Sequence, residues 1–221
     1  MRATHSYVGE SSPSHDCSFL RAFITPSVLL LLSGSKHDAS IGDSVSASKN
    51  LNPAPMKKDQ MQREKPVKLY IFDADGTLRR TTVEGLPCPN KPGDWELIPG
   101  VKERLATINW GPPEGASFGV ASNQGGVGMG YMTFDMAQQL LLDMVSEAFG
   151  QPAPQGSIEV CPHAPHAGCR CRKPSPLMLI RLMHRFNVSR SETLFVGDME
   201  RDEEAARRAG VRFMWVHQFF G

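Results

Sequence analysis

Three thiols and one imidazole, at Cys161, His163, Cys169 and Cys171, fall in a stretch too short to be a strand pair or a helix. Three sulfurs and a ring nitrogen are the ligand set of a closed tetrahedral zinc site, which leaves no coordination position open for catalysis. His166 is a competing imidazole. The single residue between Cys161 and His163 mirrors the one between Cys169 and Cys171, which favours His163. The loop runs directly into Arg172-Lys173-Pro174, so a metal that pins it would also aim two cations, with Pro174 stiffening the exit.

Far upstream, Val67-Lys68-Leu69-Tyr70-Ile71-Phe72 leads into Asp73-Ala74-Asp75-Gly76-Thr77. Strand alternation points Asp73 and Asp75 to the same side. Two carboxylates so close repel each other unless a cation binds them or one takes up a proton. With Mg²⁺ bound, Asp73 can stay ionised and attack phosphorus, while a protonated Asp75 donates to the leaving oxygen. An Asp-Gly pair alone marks a common turn; the five-residue string after a hydrophobic strand is the specific signal.

Three further groups fit the same chemistry. Ser122-Asn123-Gln124-Gly125-Gly126 offers a hydroxyl and free backbone N–H groups to a phosphoryl oxygen, with Asn123 beside Ser122 as a helper. Arg172 and Lys173 place positive charge where a transferred phosphoryl group accumulates negative charge. Downstream, Gly197-Asp198 puts Asp198 in position to complete a Mg²⁺ site with Asp73 and the backbone carbonyl of Asp75. Asp202 is expected behind these groups, orienting a water or Lys173, although acids are favoured in the first turn of any helix.

Positioning these residues requires strands that end where they begin. Periodicity predicts strands over 67–72, 117–121, 157–160, 194–196 and 211–216. Helices are predicted from Val101, from the N-cap Thr133, from Pro176, and over 203–209 with Gly210 as C-cap. The Pro/Gly-rich stretch 79–100 carries no periodic signal. Strands alternating with helices give an α/β fold: a Rossmann-like, mostly parallel sheet with helices on both faces. Every chemically interesting residue follows the carboxyl end of a strand, where such sheets bind ligands.

A chain of 221 residues with 40% hydrophobic content supports one domain with a real core, but hardly two. A net charge of +1 argues against a dedicated nucleic-acid binder. Five cysteines, three of them in one loop, fit metal ligation better than a disulfide framework, and so a reducing, cytoplasmic compartment. Residues 1–65 read as a disordered N-terminal extension, with Met56 as an alternative start. The apolar run Val28-Leu29-Leu30-Leu31-Leu32 is too short to span a membrane, and shorter than the core of a usual signal peptide.

Taken together, these residues resemble the haloacid dehalogenase superfamily of aspartate-nucleophile phosphatases. The match covers about residues 67–217 and includes the superfamily's four motifs. The zinc loop is similar to that of a small branch holding heptose bisphosphate phosphatases and the histidinol-phosphate phosphatase domain. The resemblance implies a phosphatase domain over 66–221 with a minimal cap and a zinc-bound loop beside the active site. It implies Asp73 as nucleophile and Asp75 as general acid/base. It also implies Mg²⁺ on Asp73, Asp75 and Asp198, with Ser122, Arg172 and Lys173 around the phosphoryl group. Ala74 and Met199 stand where that branch often carries Arg and Lys. The expected substrate is a small phosphorylated metabolite such as a sugar phosphate, acted on by a monomer. The segment Pro87-Cys88-Pro89-Asn90-Lys91-Pro92-Gly93-Asp94-Trp95 is also similar to the phosphatase part of polynucleotide kinase/phosphatases, which makes a nucleic-acid 3′-phosphate the second expectation. A zinc-stabilised binding module is disfavoured, because no core carboxylate is missing.

Overall fold

The computed structural model of the protein describes residues 65–221. The expected N-terminal extension, its apolar run and the alternative start at Met56 lie outside the described residues. In chain order the elements are β1 (Leu69–Phe72), β2 (Arg79–Thr81), β3 (Trp95–Leu97), α1 (Val101–Ala106), β4 (Ser117–Asn123), α2 (Gly125–Gly128), α3 (Phe134–Phe149), β5 (Ile158–Cys161), α4 (Leu177–Phe186), β6 (Thr193–Gly197), α5 (Glu200–Ala209), β7 (Arg212–Trp215) and α6 (Val216–Phe220). Five strands form one sheet in the order β5-β4-β1-β6-β7, and every pairing in it is parallel.

Parallel strands cannot be joined by tight hairpins, so each crossover carries a helix over one face. One face packs Phe72, Phe118, Val120 and Val196 against α1, α3 and α6 through Leu105, Leu141, Met144 and Phe219. The other packs Leu69, Ile71 and Phe195 against α4 and α5 through Met178, Leu182, Ala205 and Ala209. With both faces covered, the central strands read as continuous apolar runs; Leu69, Ile71 and Phe72 have no exposed surface.

Several boundaries follow the predicted chemistry. Thr133 caps α3 by accepting from the Met136 N–H at 3.1 Å, and Gly210 closes α5 in the left-handed conformation. Two features differ from expectation. The stretch 79–100 contains an antiparallel hairpin, β2 with β3, pairing Arg79 with Leu97 and Thr81 with Trp95. These strands are three residues each, too short for a detectable alternation. The last predicted strand stops at Trp215, and Val216 begins α6, whose Phe219 turns back onto the core. No helix among the described residues is long and apolar enough to cross a membrane.

Candidate active site

The sheet order puts β1 at the centre, with β4 and β6 on either side. Their carboxyl ends therefore deliver Asp73, Ser122 and Asp198 to a common edge. Asp73 follows β1 and is held by its own N–H, which donates to the Val196 carbonyl at 2.9 Å. The residue is 4% exposed. Lys173, 100 residues away, is buried under it, with Nζ 2.5 Å from Asp73 Oδ1 and 2.8 Å from Asp202 Oδ1.

Asp202 serves two partners. Its Oδ1 faces Lys173, and its Oδ2 accepts from the Met199 N–H at 3.1 Å, capping α5. Glycine at 197 is required for this approach, since a Cβ there would sit 2.5 Å from Asp202 Cβ. Gly76 plays the same part for Asp198. It has φ +89°, and a Cβ on it would overlap the Asp198 carboxylate. The Thr77 hydroxyl donates to Asp198 Oδ1 at 3.3 Å.

The carboxylates of Asp73, Asp198 and Asp202 lie within 4.8 Å of one another. Against them the site sets one buried ammonium. Burial raises the Asp73 carboxyl to about 7 despite the pull of Lys173, with Asp202 and Asp75 adding to the rise. Asp198 is also raised, first by burial and then by Asp202. Burial alone would lower the Lys173 ammonium, but Asp73 and Asp202 outweigh it and the net direction is upward. Asp202 is taken by Lys173 and the Met199 N–H, which leaves the Asp73 and Asp198 carboxylates as hard oxygen donors of a kind that fits a magnesium ion.

The Asp75 carboxylate turns away from this trio. Its Oδ1 accepts from Arg79 Nε at 2.8 Å and its Oδ2 from Gln124 Nε2 at 2.7 Å. Neither partner was among the expected site residues. The signal for Arg79 was faint: a charged residue four places after an acid, in a stretch without periodicity. Gln124 also donates to Ser122 Oγ at 2.8 Å, and Ser122 is 1% exposed. Asn123 points to the backbone of Lys173, accepting its N–H at 2.9 Å and donating to its carbonyl at 3.2 Å. It thus fixes the start of the lysine rather than offering a free amide. Arg172 reaches back to the His163 carbonyl at 3.3 Å.

The cysteine loop converges on one point. Cys161 Sγ is 3.6 Å from Cys169 Sγ and 3.7 Å from His163 Nδ1; Cys171 Sγ is 3.7 Å from Cys169 Sγ and 3.3 Å from that same Nδ1. A tetrahedral zinc with ordinary bond lengths requires edges of about 3.8 Å between sulfurs and about 3.6 Å between sulfur and nitrogen. The four atoms therefore fit zinc, with His163 presenting Nδ1 to the sulfurs. His166 is exposed and lies outside the cluster. Burial pushes the Cys161 thiol up to about 12, so a thiolate there calls for a cation. The loop packs on α2, where a Cβ at Gly128 would meet the Ala164 and Pro162 backbone.

A family model of haloacid dehalogenase-like hydrolases matches residues 167–216, which hold Cys169, Cys171, Lys173, Asp198 and Asp202. Over 149 residues the chain is 32% identical to D-glycero-beta-D-manno-heptose-1,7-bisphosphate 7-phosphatase of Pseudomonas putida, covering 66% of this chain and 80% of that protein. The chain belongs to the haloacid dehalogenase-like hydrolases. A protein of the same name from Pseudomonas aeruginosa is 34% identical over 142 residues, covering 63% of this hydrolase and 75% of its relative. Among solved structures, D,D-heptose 1.7-bisphosphate phosphatase from B. bronchiseptica, complexed with magnesium and phosphate, aligns with a TM-score of 0.56 at 29% identity. That alignment covers 66% of this chain and 79% of that one.

Proposed function

We propose that this hydrolase is a phosphomonoesterase acting on a sugar phosphate, of which the 7-phosphate of a heptose bisphosphate is the leading candidate. The observation that carries the reading is the placement of Asp73. It is a buried carboxylate at the end of the central strand, ion-paired to Lys173, with Asp75 two residues on and Asp198 beside it. The names of its relatives supply the sugar.

In this reading an Asp73 oxygen attacks phosphorus as the bond to the alcohol breaks. Asp75 gives its proton to the departing oxygen, leaving the phosphoryl group on Asp73 as a mixed anhydride. Asp75, now a carboxylate, takes a proton from water as the water oxygen attacks phosphorus. Phosphate leaves, Asp73 is restored and Asp75 is again protonated. Lys173 holds Asp73 in place and supplies positive charge beside the phosphoryl oxygens, and Ser122 and Arg172 line the same edge. Asp73 and Asp198, with the Asp75 carbonyl, would hold magnesium, which when bound supplies further positive charge next to the transferring group. Zinc on Cys161, His163, Cys169 and Cys171 would fix the loop that leads into Arg172 and Lys173.

Phosphate release from a panel of sugar phosphates, with and without magnesium, tests the reading. Magnesium-dependent turnover of a heptose or related sugar phosphate is expected, with no turnover by Asp73→Asn. Activity that survives in that variant, or a preference for 3′-phosphorylated oligonucleotide over every sugar phosphate, would overturn it.

A further inference from the structure

We propose that Arg79 and Gln124 are positioning residues for Asp75, each holding one carboxylate oxygen and together fixing the orientation in which Asp75 meets the leaving oxygen. The inference rests on the reading of Asp75 as the group that protonates the leaving oxygen.

Arg79 is among the largest fully buried side chains of the described residues. A buried guanidinium is costly unless its charge and its N–H groups find partners. Here Nε donates to Asp75 Oδ1 at 2.8 Å, Nη1 donates to the Leu140 carbonyl of α3 at 3.0 Å, and the Trp95 ring lies 5.9 Å from the guanidinium carbon. The backbone closes the same loop, with Gly76 N–H donating to the Arg79 carbonyl at 2.8 Å and Arg79 N–H to the Ala74 carbonyl at 3.0 Å. Arg79 is thus anchored to β1's exit, to the hairpin and to α3 before it reaches Asp75.

An aspartate carboxylate turns easily about its last torsion, which has broad, two-fold wells. Asp75 is 20% exposed, and packing alone would not stop that rotation. Two donors arriving at different oxygens do stop it. Gln124 is itself held in place: it is 1% exposed, and its Nε2 also donates to Ser122 Oγ at 2.8 Å.

The ratio of kcat/KM for an alkyl phosphate to that for p-nitrophenyl phosphate tests this. This quantity covers the steps up to departure of the leaving group, and p-nitrophenolate leaves without a proton whereas an alkoxide does not. In Arg79→Met and Gln124→Met the alkyl substrate is expected to fall about 10–100-fold while the aryl substrate falls less than about threefold. Asp75→Asn is the control. If it spares the alkyl substrate, the reading of Asp75 has failed. If it does not, and the two methionine variants fold but lose both substrates equally or neither, the positioning role is overturned. Circular dichroism reports folding, and if Arg79→Met does not fold, the ratio in Gln124→Met decides alone.

Discussion

The carboxylate centre and the cysteine loop lie side by side at one edge of the sheet, yet they balance charge in opposite ways. Around Asp73, the protein supplies its own cation: Lys173 contacts Asp73 and Asp202 together and is locked there by Asn123. Around Cys161, the three sulfurs and one imidazole contact one another, and among the described residues no lysine or arginine side chain shares those contacts. A lysine inside a carboxylate cluster offsets part of its charge without any metal. A thiol cluster without an internal cation depends on its metal for shape.

Asp73→Asn gives the sharpest form of the contrast. Turnover should fall by at least about 10⁴-fold, since the nucleophile is gone. Stability should barely change, because Lys173 keeps Asp202 as its partner. Steady-state kinetics and a thermal melt on one preparation check both halves; a collapse in melting temperature would show that the centre is not self-balanced.

Lys173→Met removes the internal cation and leaves Asp73, Asp198 and Asp202 facing one another. Breaking a buried ionic cluster from one side costs about 3–5 kcal/mol, which for a domain of this size is roughly 10–15 °C in melting temperature. Magnesium should then stabilise the variant more than it stabilises the parent. Equal magnesium shifts in the two proteins would place the ion elsewhere.

Zinc loss should have a smaller global effect and a larger local one. Cys169→Ser is expected to purify without zinc and to lose roughly 10 °C. Hydrogen exchange should rise across 162–172 while β1, β4 and β6 stay protected. Unaltered zinc content by elemental analysis would remove Cys169 from the ligand set.

The same contrast explains what could be read from the residues alone. The four candidate zinc ligands lie within eleven consecutive positions, so their spacing alone marks the cluster. Asp73, Asp75 and Asp198 were legible because each ends an apolar strand, and the alternation of strands and helices brought those ends together. Arg79 and Gln124 were not legible. Their roles depend on the hairpin register and on the turn after β4, and neither a three-residue strand nor a glycine-rich turn leaves a periodic trace. Asn123 was placed near the phosphoryl group on type and position, but only the fold shows that the Lys173 backbone claims its amide.

At the far end of β1 the molecule repeats the pairing of an ammonium with a carboxylate, this time in water. Lys68 Nζ lies 2.8 Å from Glu192 Oε1, with the lysine side chain 60% exposed. Contacts from Lys68 and then Ser189 hold the Glu192 carboxyl down at about 2, below its ordinary value of 4.5. The pair's contribution is therefore complete above that ordinary value and fades as pH falls through about 2. Solvent and salt screen such a pair, so Lys68→Met should shift the melting temperature by no more than about 1–2 °C at neutral pH. The two proteins should converge as pH falls below about 2, where the carboxyl becomes protonated in both. Thermal melts of parent and variant across that range provide the check. A loss near that of Lys173→Met would mean that position in the sheet matters more than burial, and that Lys173 is not set apart by the site it occupies.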